Sequence, residues 1–252
     1  MLELKKGITY GPVRSRRLGA SLGINLLPPG GKLCTFDCLY CQYGWSDTTL
    51  PGTIPTEAFP TVERVLFAVE DAVFALPEPP AYLTFSGNGE PTLHPEFPSI
   101  VEGLIPLRDR IAPGARTAIL SNSTTVMDKR NRAALAKLDV RMMKLDAGSQ
   151  STLVRFNRPA PNVRLMDILE GLRSLGDVTI QCLFAGGAEG NMGEPDVEAW
   201  LAAVASIKPM AVQVYTLARD TPSRNISPAS RQALEGICEK LLARGIAAQA
   251  YF

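Results

Sequence analysis

The sequence predicts an α/β fold in which parallel strands alternate with helices around a partial barrel. Short apolar runs typical of buried strands alternate with amphipathic segments, and polar side chains directly follow the strands. Such alternation implies parallel pairing with right-handed crossovers. The strands predicted below are one short of the eight in a closed barrel. We therefore expect a partial (β/α)6 TIM-like barrel with an extra C-terminal strand, and an open doubly wound sheet is the alternative.

The predicted strands are apolar runs bounded by turn residues. The first ends in two prolines and two glycines and leads directly into a cysteine-rich loop. The last is the extra C-terminal strand. The predicted strands cover residues 21–27, 81–85, 117–120, 140–145, 178–184, 211–217 and 246–251.

The predicted helices lie between these strands and show apolar side chains at helical spacing. They cover residues 60–76, 96–108, 128–138, 163–175, 195–207 and 228–244. No linker or shift in composition divides the pattern. We therefore interpret residues 1–252 as a single domain.

Composition and charge exclude some functional classes. Hydrophobic residues make up 46% of the chain and charged residues 20%, which is ordinary for a soluble protein with a substantial core. The 26 basic and 25 acidic residues nearly balance, so RNA is not favoured as a partner. No apolar run approaches the ~20 residues of a membrane span. Clustered thiols without a disulfide framework are typical of the cytoplasm, where we expect this protein.

Residues 1–20 lack sustained periodicity and form a basic N-terminal arm. One interpretation is a solvated arm. The other is an anion-binding segment folded over the site, because arginine side chains suit carboxylate and phosphate groups. The basic residues are Lys5, Lys6, Arg14, Arg16 and Arg17.

Three of the five cysteines lie within residues 33–44, with the spacing C-x3-C-x2-C. Cys34, Cys38 and Cys41 leave one thiol over if two form a disulfide. Structural zinc sites use four ligands, and no fourth Cys or His lies nearby. A 4Fe–4S cluster held by three thiolates leaves one iron open to a ligand from outside the protein. A zinc knuckle and a chance group of structural cysteines remain the alternatives.

Polar side chains follow most of the predicted strands. Because the carboxyl ends of parallel strands meet at one edge, these side chains should lie together and line a ligand site. They belong to residues 87–90, Ser121, Asn122, Lys144, Asp146, Gln181, Gln213 and Tyr215.

The pattern C-x3-C-x-aromatic-C, completed by Tyr40, resembles the signature of radical SAM enzymes. The resemblance implies one 4Fe–4S cluster bound by Cys34, Cys38 and Cys41, with S-adenosylmethionine (SAM) on the fourth iron. Flavodoxin or ferredoxin would supply an electron. Reductive cleavage of SAM would then give a 5′-deoxyadenosyl radical that abstracts hydrogen from a substrate, the chemistry of an oxidoreductase- or transferase-type enzyme. A metal-binding or electron-transfer module without SAM chemistry is the alternative.

The resemblance also implies residues that contact SAM. Gly89 and Glu90 match the glycine–glutamate motif that binds the amino group, although Asn88 departs from the common Gly-Gly. The alternative for this segment is a simple turn. Tyr40 would pack near the adenine.

Further SAM contacts are implied at the next strand ends. Ser121 and Asn122 stand where the family often has Thr-Asn, and with Asp146 they would contact the ribose and the methionine carboxylate. A helix cap is the alternative role of Asp146. Cys182 and Cys238 lie in apolar segments and are expected in the core.

Longer segments resemble the iron–sulfur oxidoreductases related to wybutosine synthesis on tRNA. The tRNA-modifying members carry cysteines for a second cluster, and this chain has no second triad. The substrate therefore stays open among modified RNA, a peptide or glycyl-radical partner, and a small metabolite. Arg155, Asn157, Arg158 and Pro159 fall in a predicted loop, where they could clamp a substrate or SAM carboxylate or form a surface turn. Arg155 and Arg158 suggest an anionic substrate. The matching segments are 11–44, 85–95, 120–125, 144–148, 156–159 and 212–222.

Overall fold

The structure is a computed structural model that describes residues 1–15, 19–46 and 54–252. Strands and helices alternate along most of the chain. The strands are β1 (Thr9–Ser15), β2 (Gly19–Ile24), β3 (Tyr82–Phe85), β4 (Arg116–Ser121), β5 (Val140–Lys144), β6 (Thr179–Leu183), β7 (Ala185–Gly186), β8 (Ala211–Tyr215), β9 (Ser227–Pro228) and β10 (Ala248–Tyr251). The helices are α1 (Val62–Phe74), α2 (Phe97–Ile111), α3 (Lys129–Ala136), α4 (Gln150–Asn157), α5 (Leu165–Leu175), α6 (Glu194–Ile207) and α7 (Arg231–Leu242).

Within these described ranges, one eight-stranded sheet has the order β1-β2-β3-β4-β5-β6-β8-β10. From β2 onward every neighbouring pair is parallel, whereas β1 is antiparallel to β2. Strands β7 and β9 form a separate small ribbon. The predicted α/β class is confirmed, because each predicted strand corresponds to one of the parallel strands.

Strand β1 was not predicted, and the expectation of an irregular arm over residues 1–20 is wrong for this segment. The pairing of β1 with β2 is interrupted between Tyr10 and Val13, so the period-2 pattern of a strand is broken in the sequence. The ring of Tyr10 lies on Gly23, where a Cβ atom would be 2.2 Å from it. Arg14 is exposed on β1, and residues 16–18, which include Arg16 and Arg17, lie outside the described residues.

The helices cover the sheet and bury a continuous apolar core. Trp200 of α6 is buried there, packs edge-on against Phe184 and donates a hydrogen bond from its indole nitrogen to the Leu145 carbonyl, at 2.7 Å. Cys182 and Cys238 belong to this core, as expected. Among the helices of the described residues, none is long and apolar enough to cross a membrane.

Helix α4 replaces a predicted loop. The hydroxyl of Ser149 accepts a hydrogen bond from the Thr152 amide and caps the helix at its N-terminus. Arg158 ends the helix in the left-handed conformation, with φ of 45°. Arg155 and Asn157 therefore lie on a helix, which places the end of α4 directly beside the cysteine loop.

Candidate active site at the carboxyl ends of the strands

The cysteine loop is the segment of residues 33–44, and main-chain hydrogen bonds hold it from two sides. On one side the Leu33 amide donates to the Asn88 carbonyl at 2.9 Å, and the Glu90 amide donates to the Leu33 carbonyl at 3.0 Å. On the other side the Leu39 amide donates to the Phe156 carbonyl at 3.1 Å. The loop is thereby fixed between the exit of β3 and the end of α4.

Gly89 allows the loop to approach β3. Its φ is +141°, a conformation that favours glycine, and a Cβ atom would lie 1.7 Å from the Leu33 carbonyl oxygen. The glycine of the motif is therefore required by contact with the cysteine loop itself.

A cavity of about 430 Å³ opens at these strand ends. All three cysteines of the loop line it, together with five of the residues predicted to contact SAM. Sequence reasoning missed Lys32, Tyr10 and Arg219, which also line it. The predicted residues in its wall are Tyr40, Gly89, Glu90, Ser121 and Asn122.

The three thiols are free and share one wall of the cavity. Burial, followed by the charge of Cys38, raises the pKa of the Cys34 thiol to about 12. Burial, followed by the charge of Asp146, raises the pKa of the Cys38 thiol to about 11. Because iron binds thiolates, loading of a metal group would release these protons.

Among the described residues, no three Cys, His, Asp or Glu side chains are placed to hold a single metal ion. A zinc knuckle requires ligands that converge on one ion. The thiolates of an iron–sulfur cluster bind different irons, so they stand further apart. Three unbridged thiols on a cavity wall, with N–H donors directed at two of them, fit a cluster as the bound group.

Glu90 is buried, with 1% of its surface exposed, and it connects the ends of β3 and β4. Its Oε1 accepts hydrogen bonds from the Thr92 amide at 3.1 Å and the Ser121 hydroxyl at 3.0 Å. Its Oε2 accepts one from the Asn122 amide. Burial raises the pKa of Glu90, while the hydrogen bonds from Thr92 and Asn122 oppose that rise.

Asn122 uses its side chain to hold the cysteine loop. Its Nδ2 donates to Thr35 Oγ1 at 2.8 Å and to Cys34 Sγ at 3.3 Å. Its Oδ1 accepts from the Thr124 amide at 3.0 Å and the Thr124 hydroxyl at 2.8 Å. Ser121 and Asn122 thus join β4 to the site, as their position after the strand predicted.

Asp146 does not line the cavity and is bound to protein groups instead. Its Oδ2 accepts a hydrogen bond from the Tyr40 hydroxyl, and its Oδ1 accepts one from the Leu183 amide at 2.8 Å. Lys144 Nζ lies 3.5 Å from Asp146 Oδ1. The carboxylate therefore fixes the Tyr40 ring in the cavity wall.

Lys144 carries a positive charge into the cavity. Its Nζ donates to the Tyr215 hydroxyl at 2.5 Å and lies 4.7 Å from the centre of the Tyr40 ring. Burial lowers the pKa of Lys144, but the nearby Asp146 and Tyr215 raise it above its ordinary value overall. The amine is therefore protonated at neutral pH.

Asn157 is a site residue that sequence reasoning treated only as part of a substrate clamp. The side chain is fully buried at the end of α4. Its Nδ2 donates to Asp146 Oδ2 at 2.8 Å and to Cys38 Sγ at 3.3 Å. Its Oδ1 is buried without a hydrogen-bond partner among the described residues.

The two arginines of that predicted clamp do not line the cavity. Arg155 Nη2 pairs with Asp196 Oδ2 of α6 at 2.6 Å. Arg158 pairs with Glu189 at 3.6 Å and lies over the Trp45 ring at 5.0 Å. Both guanidinium groups are engaged by neighbouring side chains.

Residues 29–190, more than half of the chain, match the family model of the Radical SAM superfamily. The chain belongs to this superfamily. Enzymes of this family use a 4Fe–4S cluster and SAM, which are accordingly the cofactors of the chain. The similarity predicted from the cysteine pattern is confirmed at the level of the superfamily.

Curated relatives include proteins named UPF0026. The one from Methanocaldococcus jannaschii is 37% identical over 171 residues, which cover 68% of this chain and 50% of that protein. The one from Helicobacter pylori strain J99 is 32% identical over 174 residues, covering 68% of this chain and 52% of that protein. The chain thus spans about half the length of the curated relatives it matches.

Solved structures with the same fold include radical SAM enzymes. A radical SAM methyltransferase from Sphaerobacter thermophilus has a TM-score of 0.65 at 13% identity, covering 92% of this chain and 65% of that chain. TYW1 with a lysine-pyruvate adduct bound has a TM-score of 0.59 at 13% identity, covering 88% of this chain and 72% of that chain. At such identities the similarity establishes the fold, which is the predicted partial barrel.

Proposed function

We propose that Cys34, Cys38 and Cys41 hold a 4Fe–4S cluster in this chain. When bound and reduced, such a cluster would supply the electron for cleavage of SAM to methionine and a 5′-deoxyadenosyl radical, and that radical would abstract hydrogen from a substrate. The observation that carries the proposal is the placement of three free thiols in one wall of a 430 Å³ cavity at the carboxyl ends of parallel strands.

The chain's own residues would bind and orient SAM. We assign Gly89 and Glu90 to its amino group and Ser121 to its ribose, since all three line the cavity. Tyr40 would support the adenine, with its hydroxyl anchored on Asp146. Asp146 would then act by positioning Tyr40, without touching SAM itself.

Asn122 lines the same wall, but its side-chain amide is already bound to the cysteine loop. Its main-chain N–H is likewise engaged by Glu90. We therefore assign Asn122 to positioning Cys34 and Glu90 beside SAM.

The substrate would occupy the part of the cavity that SAM leaves free, whose lining includes Tyr10, Gln181 and Tyr215. The protonated Lys144 favours a substrate with an anionic group. We place the reaction in the oxidoreductase or transferase class, with an electron from flavodoxin or ferredoxin. The resemblance to the wybutosine-related branch supports a tRNA base as one candidate, and a small anionic metabolite is the other.

The test is anaerobic reconstitution of the chain with iron and sulfide, followed by dithionite and SAM. We expect about four irons per chain and release of 5′-deoxyadenosine. Cys38→Ala should abolish both, whereas Cys238→Ala, which removes a thiol from the core far along the sequence, should preserve both. A cluster that forms in the wild type but never releases 5′-deoxyadenosine would overturn the proposal in favour of an electron-transfer module.

A further inference from the structure

Two buried side-chain amides donate hydrogen bonds to two different thiols of the cysteine loop. Asn122, directly after β4, has its Nδ2 3.3 Å from Cys34 Sγ. Asn157, the last residue of α4, has its Nδ2 3.3 Å from Cys38 Sγ. The two donors come from separate elements, so the fold brings an N–H group to each sulfur independently.

The orientation of both amides is determined by their other partners. Asn122 Oδ1 accepts two hydrogen bonds from Thr124, so its nitrogen must face Cys34. Asn157 Nδ2 donates to Asp146 Oδ2 at 2.8 Å. Rotation of the Asn157 amide by half a turn would direct its oxygen at that carboxylate, which accepts hydrogen bonds when ionised. An N–H group is therefore directed at the sulfur in both cases.

Both amides are shielded from water. Asn157 is 0% exposed and Asn122 is 7% exposed. A hydrogen bond in such surroundings is electrostatically stronger than the same bond in water. Water can therefore not easily replace either donor.

We infer that Asn122 and Asn157 are positioning residues that raise the reduction potential of the iron–sulfur cluster. The inference rests on the proposed ligation by Cys34, Cys38 and Cys41. One electron, supplied by a flavodoxin- or ferredoxin-type donor, makes the reduced cluster more negative than the oxidised one. Hydrogen bonds to the ligand sulfurs stabilise that additional charge, and they are among the features that set cluster potentials.

The inference is tested by redox titration of the reconstituted full chain, with the reduced cluster monitored by electron paramagnetic resonance. Asn122→Leu and Asn157→Leu each remove the donor with little change in side-chain size. We expect each substitution to lower the equilibrium constant for cluster reduction about ten-fold, which corresponds to a decrease of about 59 mV in the one-electron reduction potential. Asn131→Leu is the matched control, because the side-chain amide of Asn131 donates to the Thr92 carbonyl. The cluster in this variant should keep the wild-type reduction potential.

A merely structural role would reduce cluster content or melting temperature without moving the potential of the clusters that form. Unchanged potentials in both variants would therefore overturn the inference. If a variant does not fold, a spectroscopic measurement on the wild-type chain tests the inference instead. With asparagine labelled by nitrogen-15 in its side chain, pulsed electron paramagnetic resonance should detect coupling between the reduced cluster and the label, and absence of coupling would contradict the inference.

These measurements need a cluster but no turnover. Failure to assemble a cluster on Cys34, Cys38 and Cys41 would count against the proposed function. A cluster that cleaves SAM, but whose reduction potential is the same in the wild type and in the Asn122 and Asn157 variants, would count against this inference alone.

Discussion

The two ends of the parallel strands use polar residues in opposite ways. At the carboxyl ends, Glu90 and Asp146 are buried and surrounded by hydrogen-bond donors from the protein. At the amino ends, Asp139 pairs with Arg108 at 2.9 Å, and its side chain is 34% exposed. A buried carboxylate is costly unless it is paired, whereas a surface ion pair contributes little.

The difference separates function from stability. The buried network at the carboxyl ends connects the cysteine loop to β3, β4 and α4, and its members Glu90, Ser121 and Asn122 also line the cavity. The ion pair at the amino ends joins the last turn of α2 to the residue before β5, and neither of its residues lines the cavity. Substitutions at the carboxyl ends should therefore affect cofactor binding, while those at the amino ends should affect unfolding alone.

The largest effect is expected for Gly89→Ala. The added methyl group would overlap the Leu33 carbonyl oxygen, and the backbone conformation is strained for alanine, so the cysteine loop must move. We expect loss of cluster binding and a decrease in the free energy of unfolding of roughly 3 kcal/mol. Iron content and urea denaturation measure the two effects.

The matched control is Gly114→Ala, in the turn before the amino end of β4. A methyl group at Gly114 meets no atom within 4 Å. It should leave cluster content unchanged. If the Gly89→Ala chain bound its full complement of iron, the expected difference in cofactor binding between the carboxyl and amino ends of the strands would be contradicted.

The second effect is expected for Glu90→Gln. The substitution replaces one carboxylate oxygen by an NH2 group, which cannot accept the bonds that Thr92, Ser121 and Asn122 now donate on both oxygens. We expect a decrease in unfolding free energy of about 2 kcal/mol and weaker SAM binding. Equilibrium dialysis of SAM against the reconstituted variant checks the second expectation, and unchanged binding would limit Glu90 to a structural role.

The smallest effect is expected for Asp139→Asn at the amino ends. Although burial opposes it, hydrogen bonds from Thr117 and Arg108 hold the pKa of Asp139 below its ordinary value of 3.8. A lowered native pKa stabilises the fold fully above the unfolded value and less as pH falls through the native value. We expect a loss of about 1 kcal/mol at neutral pH, reduced by partial exposure.

The pH dependence distinguishes this mechanism from loss of packing. Urea denaturation between pH 3 and pH 6 should show the difference between wild type and Asp139→Asn shrinking toward the acid limit. Iron content and SAM cleavage at neutral pH should stay at wild-type levels. A constant difference across that range would show that the charge of Asp139 is not the cause.

Local pattern was sufficient to predict the parallel strands and the cysteine loop, because both are written in short stretches of sequence. Strand β1 escaped prediction since its pairing slips between Tyr10 and Val13. Helix α4 escaped because it is short and polar, although Ser149 at its start is a typical N-cap residue.

The finer contacts of the site depend on tertiary packing. Asn157 lies 119 positions from Cys38, and Asp146 lies 106 positions from Tyr40. No periodicity or spacing indicates such pairs. The sequence placed Asp146 correctly at a strand end, but only packing decides that its carboxylate binds Tyr40 while Lys144 lines the cavity.

The main-chain bonds at Leu33 and Leu39 bear on how the cofactor is acquired. They bind the cysteine loop to β3 and α4 through main-chain groups of the protein. The conformational entropy of the loop is therefore lost when the polypeptide folds. Zinc fingers, by contrast, fold only as they bind their ion. In this chain the apoprotein should be a preorganised acceptor, able to release its cluster to a chelator and take up another while the barrel stays intact.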